Sequence, residues 1–159
     1  MDILSGLLHN QILLTSAGAW ALAQVVKTII DFRMTGKFSA ERLTGSGGMP
    51  SCHSATVCSL ATITLLIHGA ASTEFAITAM LAIIVMYDAR GVRRETGTQA
   101  VIINEIMEYL THFGDEKYKA PEFSHEELKE LIGHTPLQVL VGALFGILVA
   151  VASYYVFIV

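Results

Sequence analysis

Two histidines and three basic side chains lie next to the ends of apolar stretches of the sequence. His53 and His134 stand at the starts of two stretches, and Lys27 stands near the end of another. Arg93 and Arg94 follow a further stretch. Lysine and arginine compensate phosphate charge, and two imidazoles can share nucleophilic attack and protonation of a leaving oxygen. This combination predicts a phosphate site that supports a reaction.

A glycine-rich run precedes His53. Residues 44–50 read Thr-Gly-Ser-Gly-Gly-Met-Pro, which is incompatible with regular helix and predicts a loop with a shaped backbone. The loop enters a predicted helix, and backbone N–H groups at a helix start point toward a bound anion. The run therefore favours anion binding beside His53.

Four apolar blocks, at about 12–30, 55–71, 75–87 and 137–159, separate these candidate residues. Of the 159 residues, 53% are hydrophobic and 15% are charged, which excludes a disordered chain. Two cysteines are too few for a secreted disulfide scaffold. We expect an all-α protein, with residues 1–159 forming one integral-membrane bundle of four to five short transmembrane helices. The second and third blocks are shorter than the roughly 20 residues that a span needs.

Lysine and arginine follow the first and third blocks, whereas the turn at 71–74 has none. Because cytoplasmic loops carry the excess of these residues, both basic loops are predicted to face the cytoplasm. If the helical pattern from Thr98 to His112 does not cross the membrane, the fourth block starts on that face too. The site is then predicted at the cytoplasmic face. Residues 1–8 hold no lysine or arginine, so the first block is predicted to be a retained helix and not a cleaved signal peptide.

Three segments carry a resemblance to a known family. Residues 48–54, Gly-Met-Pro-Ser-Cys-His-Ser, resemble the Pro-Ser-Gly-His motif of the type-2 phosphatidic acid phosphatase superfamily, which includes the vanadium haloperoxidases. Residues 133–136, Gly-His-Thr-Pro, resemble the third motif of that superfamily. With Asp-Ala-Arg-Gly-Val-Arg-Arg at 88–94, the segments are similar, in order, to those of a small divergent branch.

The resemblance implies a mechanism without a metal. It makes His134 the nucleophile that forms a phosphohistidine, and His53 the acid that protonates the leaving group. It also implies a set of phosphate-binding residues, namely Lys27, Arg94, the neighbouring Arg93 as a less specific match, and Ser51.

This chain departs from the superfamily pattern in three places. Cys52 replaces the glycine of the second motif, and residues 95–133 separate the arginine and histidine of the third. Gln138 stands where the superfamily has an aspartate that orients the nucleophile, and an amide cannot neutralise an imidazolium. Glu130 and Asp88 are candidate substitute carboxylates.

Several of these residues have structural alternatives. Lys27 can serve only as a topology anchor. Residues 135–138, Thr-Pro-Leu-Gln, also form a capping-box pattern, so Gln138 can serve the helix start instead of the histidine. Gly142 and Gly146 have small-xxx-small spacing, which is more typical of a helix-packing surface than of a site, and which could also mediate a homodimer.

Other candidate sites are weaker. Cys52 does not match a cysteine phosphatase, because Cys58 stands where that chemistry needs an arginine. Mg²⁺ binding by oxygen ligands is a minor alternative, and the candidate ligands are Asp88, Glu95 and Asn104. The remaining histidines have no motif context and are predicted to be structural: His9, His68, His112 and His125.

The sequence therefore predicts a membrane lipid phosphatase. The resemblance implies phosphatidylglycerophosphate, phosphatidic acid or an isoprenyl diphosphate as the substrate and does not choose among them. The alternative is a non-catalytic membrane protein that binds lipid phosphate or scaffolds partners. A transporter fits less well, because the blocks contain no inverted pair of broken helices. The net charge of -4 gives no reason to expect nucleic acid as a partner.

Overall fold

The computed structural model describes residues 3–36, 48–113, 134–157 and 159, with the backbone alone at 92–94 and 110–113. Within these ranges the chain is helical and contains no strand. The helices are α1 (Ile3–Leu8), α2 (Gln11–Thr35), α3 (Cys52–His68), α4 (Thr73–Arg90), α5 (Val92–Phe113) and α6 (Pro136–Phe157). The predicted all-α class is confirmed, and each apolar block corresponds to one of α2, α3, α4 and α6.

Three helical stretches are long and apolar enough to cross a membrane, namely Gln11–Thr35, Thr73–Tyr109 and Pro136–Phe157. The helix at the third block is longer than the block, because polar residues at both ends extend α4 to Thr73–Arg90, although its 18 residues remain slightly below the roughly 20 of a typical span. The second block is short as expected. Its helix, α3, has 17 residues, or about 25 Å, against a hydrocarbon core of roughly 30 Å.

Local sequence signals explain where the helices start and stop. Asn10 and Ser72 cap α2 and α4, since their side-chain oxygens accept hydrogen bonds from backbone N–H groups three residues later. Helix α2 ends at Gly36, which adopts the left-handed conformation at φ 68°. Helix α3 ends at His68, before Gly69 at φ 83°, and so stops short of the predicted limit at residue 71.

Helix α3 lies at the centre of the bundle, with α2, α4 and α6 packed against it. Two glycines let α6 approach α3 closely. A Cβ atom at Gly142 would overlap the carbonyl oxygen of Ser51, and one at Gly146 would overlap that of Ala55. The helix-packing interpretation of these glycines is therefore confirmed. Their proposed role in a homodimer is wrong, because α3 of the same chain already covers this face.

Small side chains also join α2 to the centre of the bundle. Ala23 packs with Cys52 and Ala55, and Phe145 of α6 closes the cluster. On the other side of α3, a second cluster joins it to α4 and consists of Val57, Cys58 and Ala82. The close packing holds the beginning of α3 against both α2 and α6.

Helix α5 continues the chain beyond the short break at Gly91. The helix predicted from Thr98 to His112 is confirmed, although it begins at Val92. Three of its apolar side chains, Ile102, Ile103 and Ile106, are exposed, whereas Ala100 is buried. The first part of the glycine-rich run, the short helix predicted at 124–127 and Glu130 fall outside the described residues.

Candidate active site

Four chain segments meet at one end of the bundle. The backbone N–H of Ser51, just before α3, donates to the carbonyl oxygen of Gln138 in α6 at 3.1 Å. The backbone N–H of His134 donates to the carbonyl oxygen of Ala89, near the end of α4, at 3.1 Å. Lys27 completes the group from α2, through its contact with Gly48. The structure thus brings together the predicted site residues Lys27, His53 and His134 from separate parts of the chain, and Ser51 and Gln138 lie beside them.

The two histidines of the motifs face each other. Their ring centroids lie 5.9 Å apart, with an angle of 62° between the ring planes. His134 is 2% exposed, and neither of its ring nitrogens has a hydrogen-bond partner within the described part of the chain. His53 is only partly buried. Because buried polar atoms are usually satisfied in folded proteins, the unpartnered imidazole of His134 marks a place where a polar ligand fits.

Lys27 is buried although it lies within an apolar helix, and its exposed fraction is 2%. Its aliphatic stem passes Gly48, where an added Cβ would lie 3.0 Å from Cδ and 3.1 Å from Cγ of the lysine. Gly48 also has a φ of 82°, which other residues rarely adopt. Glycine at position 48 therefore lets the loop pass over the lysine. A buried cation in a membrane helix usually marks a functional site.

The surroundings of His134 favour its neutral form. Burial lowers the pKa of His134 below its ordinary value of 6.5, and the positive charges of His53 and Lys27 lower it further. The nearby Gln138 amide and Gly48 backbone act in the opposite direction, since they favour the imidazolium. Burial is the largest effect. The imidazole thus keeps a nitrogen lone pair at neutral pH, as a nucleophile requires.

Ser51 is fully buried and caps α3. Its hydroxyl oxygen accepts hydrogen bonds from the backbone N–H of Ser54 at 3.4 Å and from the hydroxyl of Ser54 at 3.1 Å. The predicted contact of Ser51 with phosphate stays a prediction. Its structural role is to start the helix that presents His53.

Gln138 forms the capping box that the sequence suggested. Its side-chain oxygen accepts from the backbone N–H of Thr135 at 3.0 Å, and its own N–H donates to the Thr135 hydroxyl at 3.3 Å. One function of Gln138 is therefore to hold the start of α6. Its role in orienting His134 stays a prediction. Of the two substitute carboxylates, Asp88 lies next to Ala89 in α4, and Glu130 lies outside the described residues.

Arg93 and Arg94 lie in the first turn of α5, and their side chains are outside the described part of the structure. Their predicted contacts with phosphate therefore stay predictions. Among the described residues, no group of three or more His, Cys, Asp or Glu side chains could hold a metal ion.

Sequence reasoning missed two features near the site. The sequence did not indicate a contact between Cys52 and His53, yet the sulfur of Cys52 lies 3.8 Å from Nδ1 of His53. Gln24 was not noted at all, although it is buried, its side-chain oxygen has no described partner, and it precedes Lys27 by one helical turn. The i to i+3 spacing of Gln24 and Lys27 was the available signal.

Comparison with known proteins agrees with this picture. The chain is 43% identical over 155 residues to the "Uncharacterized membrane protein YuiD" of Bacillus subtilis (strain 168), a match that covers 95% of this chain and 98% of that protein. No solved structure matches the chain. Together with the apolar helices, the full-length similarity to a membrane protein identifies an integral membrane protein. The sequence profile described as "Divergent PAP2 family" matches residues 8–149, which include every site residue named above. The chain therefore belongs to the divergent PAP2 family.

Proposed function

We propose that this protein is a membrane lipid phosphatase that hydrolyses a lipid phosphomonoester or diphosphate through a phosphohistidine intermediate. The observation that carries the proposal is the pairing of His53 with His134, at a ring separation of 5.9 Å, beside the buried Lys27. Membership of a PAP2-related family supports a phosphatase-related function.

In the first half of the reaction, a neutral ring nitrogen of His134 attacks phosphorus. The bond between phosphorus and the lipid oxygen breaks, and its electron pair stays on that oxygen. The protonated His53 gives its proton to this oxygen, so the lipid leaves as an alcohol, or as a lipid monophosphate when the substrate is a diphosphate. His134 now carries the phosphoryl group, and His53 is neutral.

In the second half, the neutral His53 removes a proton from water. The water oxygen attacks phosphorus, the phosphorus–nitrogen bond breaks, and its electron pair returns to His134. Inorganic phosphate leaves, and both histidines regain their starting protonation states. One imidazole thus serves as the nucleophile and the other as acid and then base.

Positive charge stabilises the phosphoryl group during both halves. Lys27 supplies an ammonium at the histidine pair, and Arg94 or Arg93 supplies a guanidinium from the start of α5. The lysines and arginines after α2 and α4 support a site on the cytoplasmic leaflet. Phosphatidylglycerophosphate, phosphatidic acid and isoprenyl diphosphates all present the required group.

The test is phosphate release by the purified protein in detergent from each of these lipids, with and without EDTA. We expect release that survives EDTA, because no step requires a metal. His134→Ala should lower kcat by at least about 10⁴-fold, as expected for a lost nucleophile. His53→Ala should lower it by about 10²–10⁴-fold.

The matched control is His68→Ala, because His68 is an exposed histidine at the other end of α3. This variant should hydrolyse lipid phosphate at the wild-type rate. Wild-type turnover by the His134→Ala variant contradicts the proposal. Release that disappears with EDTA in the wild type moves the chemistry to a metal.

A second candidate function is binding of lipid phosphate without hydrolysis. The observation that favours it is the capping box, because Gln138 replaces the orienting carboxylate and its oxygen already accepts from Thr135. This candidate predicts vanadate and phosphate binding to a protein that releases no phosphate from any of the lipids. Turnover that depends on both histidines excludes it.

A further inference from the structure

The sulfur of Cys52 contacts the histidine that is proposed to carry protons. Cys52 Sγ lies 3.8 Å from Nδ1 of His53, within reach of a weak hydrogen bond to sulfur. Cysteine stands here at a position where the superfamily motif has glycine, which could make no such contact. The substitution therefore adds a side-chain partner on the Nδ1 side of the His53 ring.

Packing fixes the position of this sulfur. Cys52 is 3% exposed and is held in the cluster with Ala23 of α2, Ala55 of α3 and Phe145 of α6. Three helices therefore restrict the side chain to which the imidazole is hydrogen bonded. A rigid partner can orient a ring, whereas a mobile one cannot.

We propose that Cys52 is a positioning residue for His53, whose sulfur accepts the Nδ1–H of the imidazole and so leaves Nε2 as the atom that transfers protons. The inference rests on the proposed function for its catalytic consequence. The contact itself is independent of that function, because it can be measured in the protein without substrate.

The two protonation states of His53 explain why such a contact is useful. The imidazolium carries hydrogen on both nitrogens, and it gives up the one on Nε2 when the leaving oxygen is protonated. The neutral ring that results must keep its hydrogen on Nδ1, so that Nε2 has a lone pair for the incoming water. The partner of one ring nitrogen determines which nitrogen is protonated. An acceptor at Nδ1 therefore favours the required tautomer throughout the cycle.

The unpartnered ring of His134 points to the same conclusion. The ring centroid of His134 lies 5.9 Å from that of His53, and neither ring nitrogen of His134 bonds to a described residue. A proton-transferring atom of His53 is useful only if it faces the reacting group at His134. Because the contact with Cys52 is made at Nδ1, we assign the transfer of protons to Nε2.

The first experiment reads the tautomer directly. Nitrogen NMR of ¹⁵N-histidine-labelled full-length protein in detergent distinguishes the two neutral forms of each ring, and His53→Ala assigns the His53 signals. At a pH where the ring is neutral, we expect the Nδ1–H form to predominate. In Cys52→Ala the share of the Nε2–H form should rise about twofold or more. An unchanged tautomer in that variant, or an Nε2–H ring in the wild type, overturns the proposal.

The matched control is Cys58→Ala, which removes the other buried thiol of α3. Cys58 contacts the sulfur of Met86 at 3.6 Å and belongs to the cluster on the α4 side. This variant should leave the His53 tautomer unchanged. Cys52→Ser retains a side-chain acceptor at the site and should restore part of the Nδ1–H form, which a purely structural role for the thiol does not predict.

Kinetics then separate this inference from the proposed function. Cys52→Ala should lower kcat about tenfold with little change in KM, and Cys52→Ser should recover part of the loss. A rise in KM without a fall in kcat contradicts the role of Cys52 in positioning the proton-transferring ring. If the wild type releases no phosphate and the tautomer still changes in Cys52→Ala, the proposed function fails and the contact stands.

Discussion

The two ends of the bundle contain similar polar residues in different surroundings. His53 and His68 lie at opposite ends of α3, but His68 is exposed beside the turn to α4, whereas His53 faces His134. At the His53 end, Lys27 of α2, the segment before α6 and the end of α4 lie close to the start of α3. The surroundings, and not the residue type, distinguish the candidate site histidine from the exposed one.

Two buried hydroxyls and the buried imidazole of His134 illustrate this difference. In the half of the bundle away from the site, Ser16 and Thr64 donate to the carbonyl oxygens of Ile12 and Leu60 within their own helices. The hydrogen-bonding requirement of these hydroxyl donors is met within their own helices. At the site end, the two ring nitrogens of His134 have no described partner. Since an unsatisfied buried polar group costs free energy, the unpartnered imidazole supports the proposal that this end of the bundle binds a ligand.

The comparison of the two ends predicts the largest loss of activity when the buried charge of Lys27 is removed. Lys27→Met should lower kcat/KM about 10²-fold, because a charge-assisted hydrogen bond to phosphate contributes roughly 1.5–3 kcal/mol. The measurement is the initial rate of phosphate release over a range of lipid concentrations. Arg33→Met is the control, since Arg33 is an exposed cation in the last turn of the same helix. Equal losses of kcat/KM in the two variants would show that positive charge near this face promotes hydrolysis without a specific contact between Lys27 and phosphate.

The next effect tests the close packing that supports the site. Gly142→Ala forces α6 away from Ser51, and we expect it to lower the free energy of unfolding by about 1–3 kcal/mol. It should also lower kcat, because the start of α3 carries His53. Thermal unfolding in detergent and the hydrolysis rate measure both effects. Gly18→Ala is the control, as nothing lies within 4 Å of its added Cβ. Similar behaviour of the two variants would contradict the packing argument.

A smaller effect is expected on the pH dependence of kcat/KM. Because burial lowers the pKa of His134 below 6.5, the neutral nucleophile should persist below that pH, and kcat/KM should fall only under more acidic conditions. The profile of kcat/KM against pH gives the midpoint of this acidic limb. The charge of Lys27 contributes to the lowering, so Lys27→Met should move the midpoint upward. A wild-type midpoint above 6.5 would indicate that His134 is not the nucleophile.

The smallest effect is expected at the capping box. Gln138→Glu retains the capping geometry, so the free energy of unfolding should change by less than about 1 kcal/mol. We also expect kcat to stay within about tenfold of the wild type, since the side-chain oxygen at position 138 is already committed to Thr135. Thermal unfolding and kcat are the measurements. A hundredfold rise in kcat would instead show that the site lacks an orienting carboxylate.

Much of the fold could be predicted from single segments of sequence. Four apolar blocks predicted four of the helices, and serine, asparagine and glycine mark several of their ends. The motifs also identified His53 and His134 as partners before any distance was known. The length of α4 was underestimated because polar residues at its ends are helical yet add nothing to an apolar block. The role of Gly142 and Gly146 in a dimer was wrong because the spacing of small residues does not say which helix they contact.

Hydropathy, caps and motif residues are properties of one short segment, so the amino-acid sequence alone established a helical membrane protein and predicted two site histidines and a lysine. Burial and distance depend on how segments far apart in the chain pack around α3. The 5.9 Å separation of the imidazoles, the passage of Gly48 over Lys27 and the contact between Cys52 and His53 therefore emerged only from the folded bundle. The approach of α6 to α3, which only glycine permits, brings His134 to the helix that carries His53.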